Sequence, residues 1–134
     1  MRILVDTNVF LEVLLNQLKA AEARALLDQA ERHEFFLSDY ALHSIGLLLF
    51  RRNQWQALVS FVEDVIMSGA VSVVSLAAED MGAVVAAATR FRFDFDDAYQ
   101  YVAAEKFGLR LVSYDADFDR APNVRLLPGH ALAL

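Results

Sequence analysis

The chain has 134 residues, 57% of them hydrophobic, a formal net charge of −6 and no cysteine. That length and apolar content describe one folding domain rather than a disordered chain, and the missing thiols exclude disulfides, thiolate metal sites and cysteine nucleophiles. The charge argues against a protein that coats nucleic acid non-specifically, but not against a nuclease whose acids surround cations.

Taken in order, residues 2–5 read as a short buried strand ending at Asp6, with Thr7 and Asn8 as a turn or cap and a helical apolar pattern over 9–15. A second helix is predicted over 19–32, where Ala20, Ala23, Leu26, Leu27 and Ala30 repeat at spacings of three and four. Phe35 to Leu37 form a strand candidate, and Ser38-Asp39 caps an apolar helix over about 40–52. An amphipathic helix follows over 55–67, stopped at Ser68-Gly69, then a β-branched strand over 71–74 and an Ala-rich helix over 76–90. A helix over 96–107 stops at Gly108 and leads into a strand over 109–113; a last strand is predicted over 124–127. Strands alternate with helices, so the expected fold is α/β, a mostly parallel central sheet flanked by helices in one domain over 1–134. No signal peptide is evident, and the apolar stretches 41–50 and 65–78 fall short of a spanning helix, so a soluble, cytoplasmic protein is expected.

Acids collect where these elements meet. Asp6 ends the first strand, Asp94, Asp96 and Asp97 open the helix over 96–107, and Asp115, Asp117 and Asp119 follow the strand after it. Carboxylates leaving element ends in an α/β chain suggest a divalent-metal site. Each acid has a plainer reading too. Asp6 can cap its helix, Asp96 and Asp97 can serve the helix dipole, and Asp115 and Asp117 can form a turn. Asp94 and Asp119 read as solvated loop acids. The histidines at 33, 43 and 130 are scattered and read as structural, and Tyr40, Trp55 and the phenylalanines read as core.

Two segments in this order, ILVDTNVFL and DDAYQYVAAEKFGLRLVSYDADF, resemble the opening and closing signatures of the PIN-domain ribonucleases, the family that includes VapC-type toxins. The resemblance implies a Rossmann-like three-layer sandwich and a ribonuclease dependent on Mg²⁺ or Mn²⁺. It assigns Asp6, Asp97, Asp115 and Asp117 to the metal, and Asn8 and Ser113 to supporting roles. It further implies the toxin of a toxin–antitoxin pair, a homodimer restrained by an antitoxin protein. Arg51, Arg52 and Arg92 are the candidates for contact with RNA phosphates.

The chain departs from the family pattern at one position. A Glu is expected on the helix after the second strand, and this chain has Ser44, preceded by His43. A hydroxyl holds a hard cation less well than a carboxylate. Asp39, Glu12 or Asp96 are the acids that could compensate, and the competing reading is a PIN-fold binding or scaffold protein that has lost catalysis.

Overall fold

β1 (Arg2–Val5) is flanked by β2 (Glu34–Ser38) and β4 (Arg110–Val112), with β3 (Val71–Val74) and β5 (Arg125–Leu126) at the edges. In this computed structural model, which describes residues 1–122 and 124–134, these five strands form one sheet in the order β3-β2-β1-β4-β5. Every pairing is parallel. Ile3, Leu4 and Val5 are all at 0% exposure, as expected of a central strand covered on both faces.

The period-two alternation of a strand then divides the core in two. Ile3 and Val5 pack with Phe10, Leu26, Leu37, Ile45 and Leu49 on one face. Leu4 packs with Val84, Ala98, Val102, Leu111 and Phe118 on the other. The first layer is built from α1 (Thr7–Leu14), α2 (Ala20–Leu27), α3 (Asp39–Arg51) and α4 (Trp55–Phe61). The second uses α5 (Met81–Phe91) and α6 (Phe95–Phe107). Helix, sheet and helix make the three-layer α/β sandwich expected from the alternation of elements.

Several boundaries differ from the sequence reading, each for a local reason. The helix predicted to Arg32 ends at Leu27. Residues after it must turn to bring Glu34 beside β1, and Glu34 N donates to the Met1 carbonyl at 2.9 Å. The amphipathic run over 55–67 splits into α4 and a wider helical turn, Val62–Met67. The Ala-rich helix begins only at Met81, after a tight turn at Ala78–Asp80 in which the Asp80 carboxylate accepts from Ala77 N at 2.7 Å. A short α7 (Pro128–Leu132), started by its proline, was not legible and packs on α2. Among the described residues, no helix is long and apolar enough to cross a membrane.

Candidate metal centre

The strand order itself makes the site. The chain builds outward from β1 to β2 and β3, then returns to lay β4 on the other side of β1. At such a switch point the connections leave in opposite directions and open a crevice beyond the carboxyl ends of the strands. Asp6 is the first residue past β1, and its amide donates to Val112 O on β4 at 3.0 Å. Ser113 and Asp115 follow β4, and Asp97 sits in the first turn of α6. The Asp94 side chain caps that helix by accepting from Asp97 N at 2.9 Å.

Asp6 is 8% exposed and fully engaged. Its Oδ1 accepts from Thr7 N at 2.8 Å and from Gln100 Nε2 at 3.0 Å; its Oδ2 accepts from Ser113 Oγ at 2.6 Å and from Asn8 Nδ2 at 3.3 Å. Four donors fill the four lone-pair directions of a carboxylate. Burial pushes the Asp6 pKa upward, and the bonds from Ser113, Gln100 and Thr7 oppose it. The supporting residues are themselves held. Asn8 Oδ1 accepts from Tyr114 N at 3.1 Å, and Ser113 Oγ accepts from Asp115 N at 2.9 Å.

Asp97, Asp115 and Asp117 converge, each offering an oxygen within 4.8 Å of the others, and all three are partly buried. Asp117 pairs with the Arg120 guanidinium at 3.2 Å. The Asp97 pKa is pushed up to about 7, first by desolvation and then by repulsion from Asp94, Asp115, Asp6 and Asp117. Hard oxygen donors carrying mutual repulsion are the donor set that suits Mg²⁺ or Mn²⁺, and they fit a divalent cation.

A cleft of about 260 Å³ opens over these groups, lined by Asp6, Asn8, Tyr40, Ser44, Asp94, Asp96, Asp97, Gln100 and Asp115 among others, with no Lys or Arg among its lining residues. Ser44 therefore faces the acidic cleft, where the Glu was expected. Of the acids that could compensate, Asp96 lines the cleft and the other two do not: Glu12 ties Lys19 N at 2.8 Å, and Asp39 accepts from Tyr99 Oη at 2.7 Å. Arg51 and Arg52 lie at the opposite end of α3 from Tyr40, about 16 Å along its axis. Arg92 is exposed on the α5–α6 connection and does not line the cleft. A larger groove of about 470 Å³ between α1, α2 and α4 has mainly apolar walls, among them Phe10, Leu14, Leu27 and Phe61, with Arg24, Asp28 and Asp64 also lining it.

Two features escaped sequence reasoning. Gln100, buried at 5% exposure, links Asp6 to β2: its amide nitrogen donates to Asp6, while its oxygen accepts from Ser38 Oγ. The signal was present, since Gln100 stands three residues past Asp97 in an apolar run and so shares its helix face. The aromatic residues expected in the core are partly outside it, with Tyr40, Phe50, Trp55 and Phe95 exposed by 37%, 57%, 56% and 47%.

The PIN domain family model matches residues 3–124. The chain belongs to the PIN domain family. This PIN domain superposes on VapC20 of Mycobacterium tuberculosis, a sarcin–ricin loop cleaving toxin, with a TM-score of 0.77, 23% identity and coverage of 94% of this chain and 99% of that one. It is also similar to a toxin–antitoxin complex from Klebsiella pneumoniae (TM-score 0.75, 17% identity, 94% and 97% covered). VapBC2 of Rickettsia felis, bound to a promoter DNA fragment, gives a TM-score of 0.75 at 16% identity over 94% and 97%. No curated protein matches this PIN domain in sequence.

Proposed function

We propose that this PIN domain is an endoribonuclease, dependent on Mg²⁺ or Mn²⁺, that hydrolyses RNA phosphodiester bonds as the toxin of a toxin–antitoxin pair. The observation that carries this reading is the convergence of Asp97, Asp115 and Asp117 within 4.8 Å in a chain of this family. Those three carboxylates would hold the cation, and Asp6 would join them if it gave up one of its four bonds, of which that from Asn8 at 3.3 Å is the longest. When bound, a divalent cation neutralises phosphate charge and makes water a better nucleophile at neutral pH. The chain's own part is to hold its acids still. Ser113 orients Asp6 and is itself held by Asn8 Nδ2, Gln100 locks Asp6 from the opposite side, and the Asp94 cap sets the first turn that carries Asp97.

Likeness to VapC20 supports RNA as the substrate class, and likeness to the Klebsiella and Rickettsia complexes supports an antitoxin partner. The exposed run of Leu47 and Phe50 on α3 with Trp55 and Val59 on α4 supports a homodimer, and the reading places the protein in the cytoplasm. The test is RNA cleavage by purified protein with Mg²⁺ or Mn²⁺, beside EDTA and Asp97→Asn controls. Cleavage lost in both controls is the expected result; cleavage that survives either one overturns it. The neutral Ser44 in the cleft favours a second reading, a PIN domain that binds but does not cut. Absence of both cleavage and calorimetric metal binding would select it.

A further inference from the structure

The proposed reaction leaves one difficulty. Its substrate is a polyanion, yet the cleft is lined by Asp6, Asp94, Asp96, Asp97 and Asp115 with no cationic side chain among its lining residues. Bound cations can hold the scissile phosphate, but the flanking nucleotides need an attraction that does not depend on charge. One aromatic ring lines this cleft and a second packs beside it. Tyr40 lines the cleft at 37% exposure, and Phe95, between Asp94 and Asp96, is 47% exposed. Their centroids are 5.3 Å apart with the planes inclined by 59°.

The pair is also held rigid from behind. Tyr99, 2% exposed, stacks on Tyr40 at 3.9 Å and 11° and covers one face of that ring, while Tyr40 as a whole keeps 37% exposure. The Tyr99 hydroxyl donates to Asp39 Oδ1 at 2.7 Å and accepts from Leu76 N at 2.9 Å, which fixes that backing ring. Asp39 opens α3 and in turn accepts from Tyr40 N at 3.0 Å. A fixed ring loses little conformational freedom when a base settles on it.

We infer that Tyr40 and Phe95 form a stacking subsite for one unpaired nucleobase of the RNA next to the scissile phosphate. Every base presents a π-face, so stacking attracts nucleotides without needing positive charge. In a duplex those faces are already covered, and a helical substrate cannot use the subsite. The inference rests on the ribonuclease reading and supplies the part of the substrate that the acids cannot hold.

The experiment uses a single-stranded RNA oligonucleotide carrying one 2-aminopurine, whose fluorescence falls on stacking, with Ca²⁺ present to limit turnover. Wild-type protein should quench the single strand and leave the same probe in a duplex unchanged. Phe95→Leu and Tyr40→Leu keep apolar volume but remove the ring, and each should weaken binding about tenfold. Trp55→Leu, at the start of α4 and outside the cleft lining, should bind as wild type. Binding equal to wild type by both ring variants, each shown folded by thermal unfolding, overturns the subsite, as does equal quenching of the duplex. The two readings fail separately. Metal-dependent cleavage indifferent to Phe95→Leu and Tyr40→Leu removes the subsite and keeps the nuclease. Ring-dependent quenching without cleavage in any metal keeps the subsite and removes the nuclease.

Discussion

At Asp97 the raised pKa has two consequences of opposite use. Its folded-state value is about 7, against 3.8 for a free carboxyl, so the folded protein holds this proton more tightly than the unfolded chain does. The stability that follows is fully present below the unfolded value and is lost as pH rises through about 7. In cation-free protein Asp97→Asn removes the repulsion and should stabilise at pH 8. Allowing for solvent screening of a partly exposed group, about 1 kcal/mol or roughly 4 °C in melting temperature is expected. The gap should narrow as pH falls below 7 and close only below about 3.8, where the Asp97 carboxyl is protonated in both the folded and the unfolded chain. Metal binding runs the other way because the ligand must be ionised: Mn²⁺ affinity by calorimetry should rise about tenfold from pH 6 to pH 8. Gln100 gives a separate test at this scale. Gln100→Leu takes one donor from Asp6 and the acceptor from Ser38, both of them buried groups. A loss of about 2 kcal/mol in urea unfolding is expected; a loss near zero would mean that Asp6 needs no such anchor.

Among the elements, the helix boundaries explain what the sequence could and could not disclose. Caps with side-chain chemistry were legible: Ser38 accepts from Ala41 N at 3.0 Å as expected, and Gly108 ends α6 with φ of +63°. The end of α2 was not, because the apolar period runs on past Leu27 and only the pairing of Glu34 with the chain start forces the turn. The split after α4 and the late start of α5 arise in the same way, from tertiary placement and not from local preference. Two glycines turn this into a measurement. A Cβ at Gly108 meets nothing closer than Arg2 Nη1 at 3.8 Å, so its cost is backbone strain in the left-handed region alone. Gly108→Ala should lose about 1 kcal/mol. Gly82, in the first turn of α5 with open space around it, carries no such constraint, and Gly82→Ala should gain about 0.5 kcal/mol. Denaturant midpoints of opposite sign for the two variants are the check.

For the whole molecule, topology decided how much of the site could be anticipated. Asp6, Asp97 and Asp115 each follow or open an element whose end the sequence marks, and an alternating α/β pattern sends such ends to one side of a parallel sheet. The Asp6–Gln100–Ser38 link was hidden because its members are 94 and 62 residues apart and meet only through the order of strands. The same topology gathers like charge in a protein whose net charge is already −6. The fold therefore works against its own site, and any cation that relieves the repulsion must stabilise the whole domain by mass action. At a hundredfold excess over its dissociation constant, Mn²⁺ should add about 2.7 kcal/mol, or roughly 10 °C in melting temperature, reversed by EDTA. NaCl at equal ionic strength should give only a small rise, since screening does not replace ligation. Asp115→Asn should abolish most of the Mn²⁺ shift, whereas Asp119→Asn should leave it intact, because that acid is bound to Arg125 at 2.8 Å and lines no part of the cleft. Ser44→Glu should enlarge the shift while lowering the metal-free melting temperature, since a further carboxylate would add both a ligand and a repulsion. A Ser44→Glu protein that loses stability without gaining Mn²⁺ response would show that position 44 does not reach the cation.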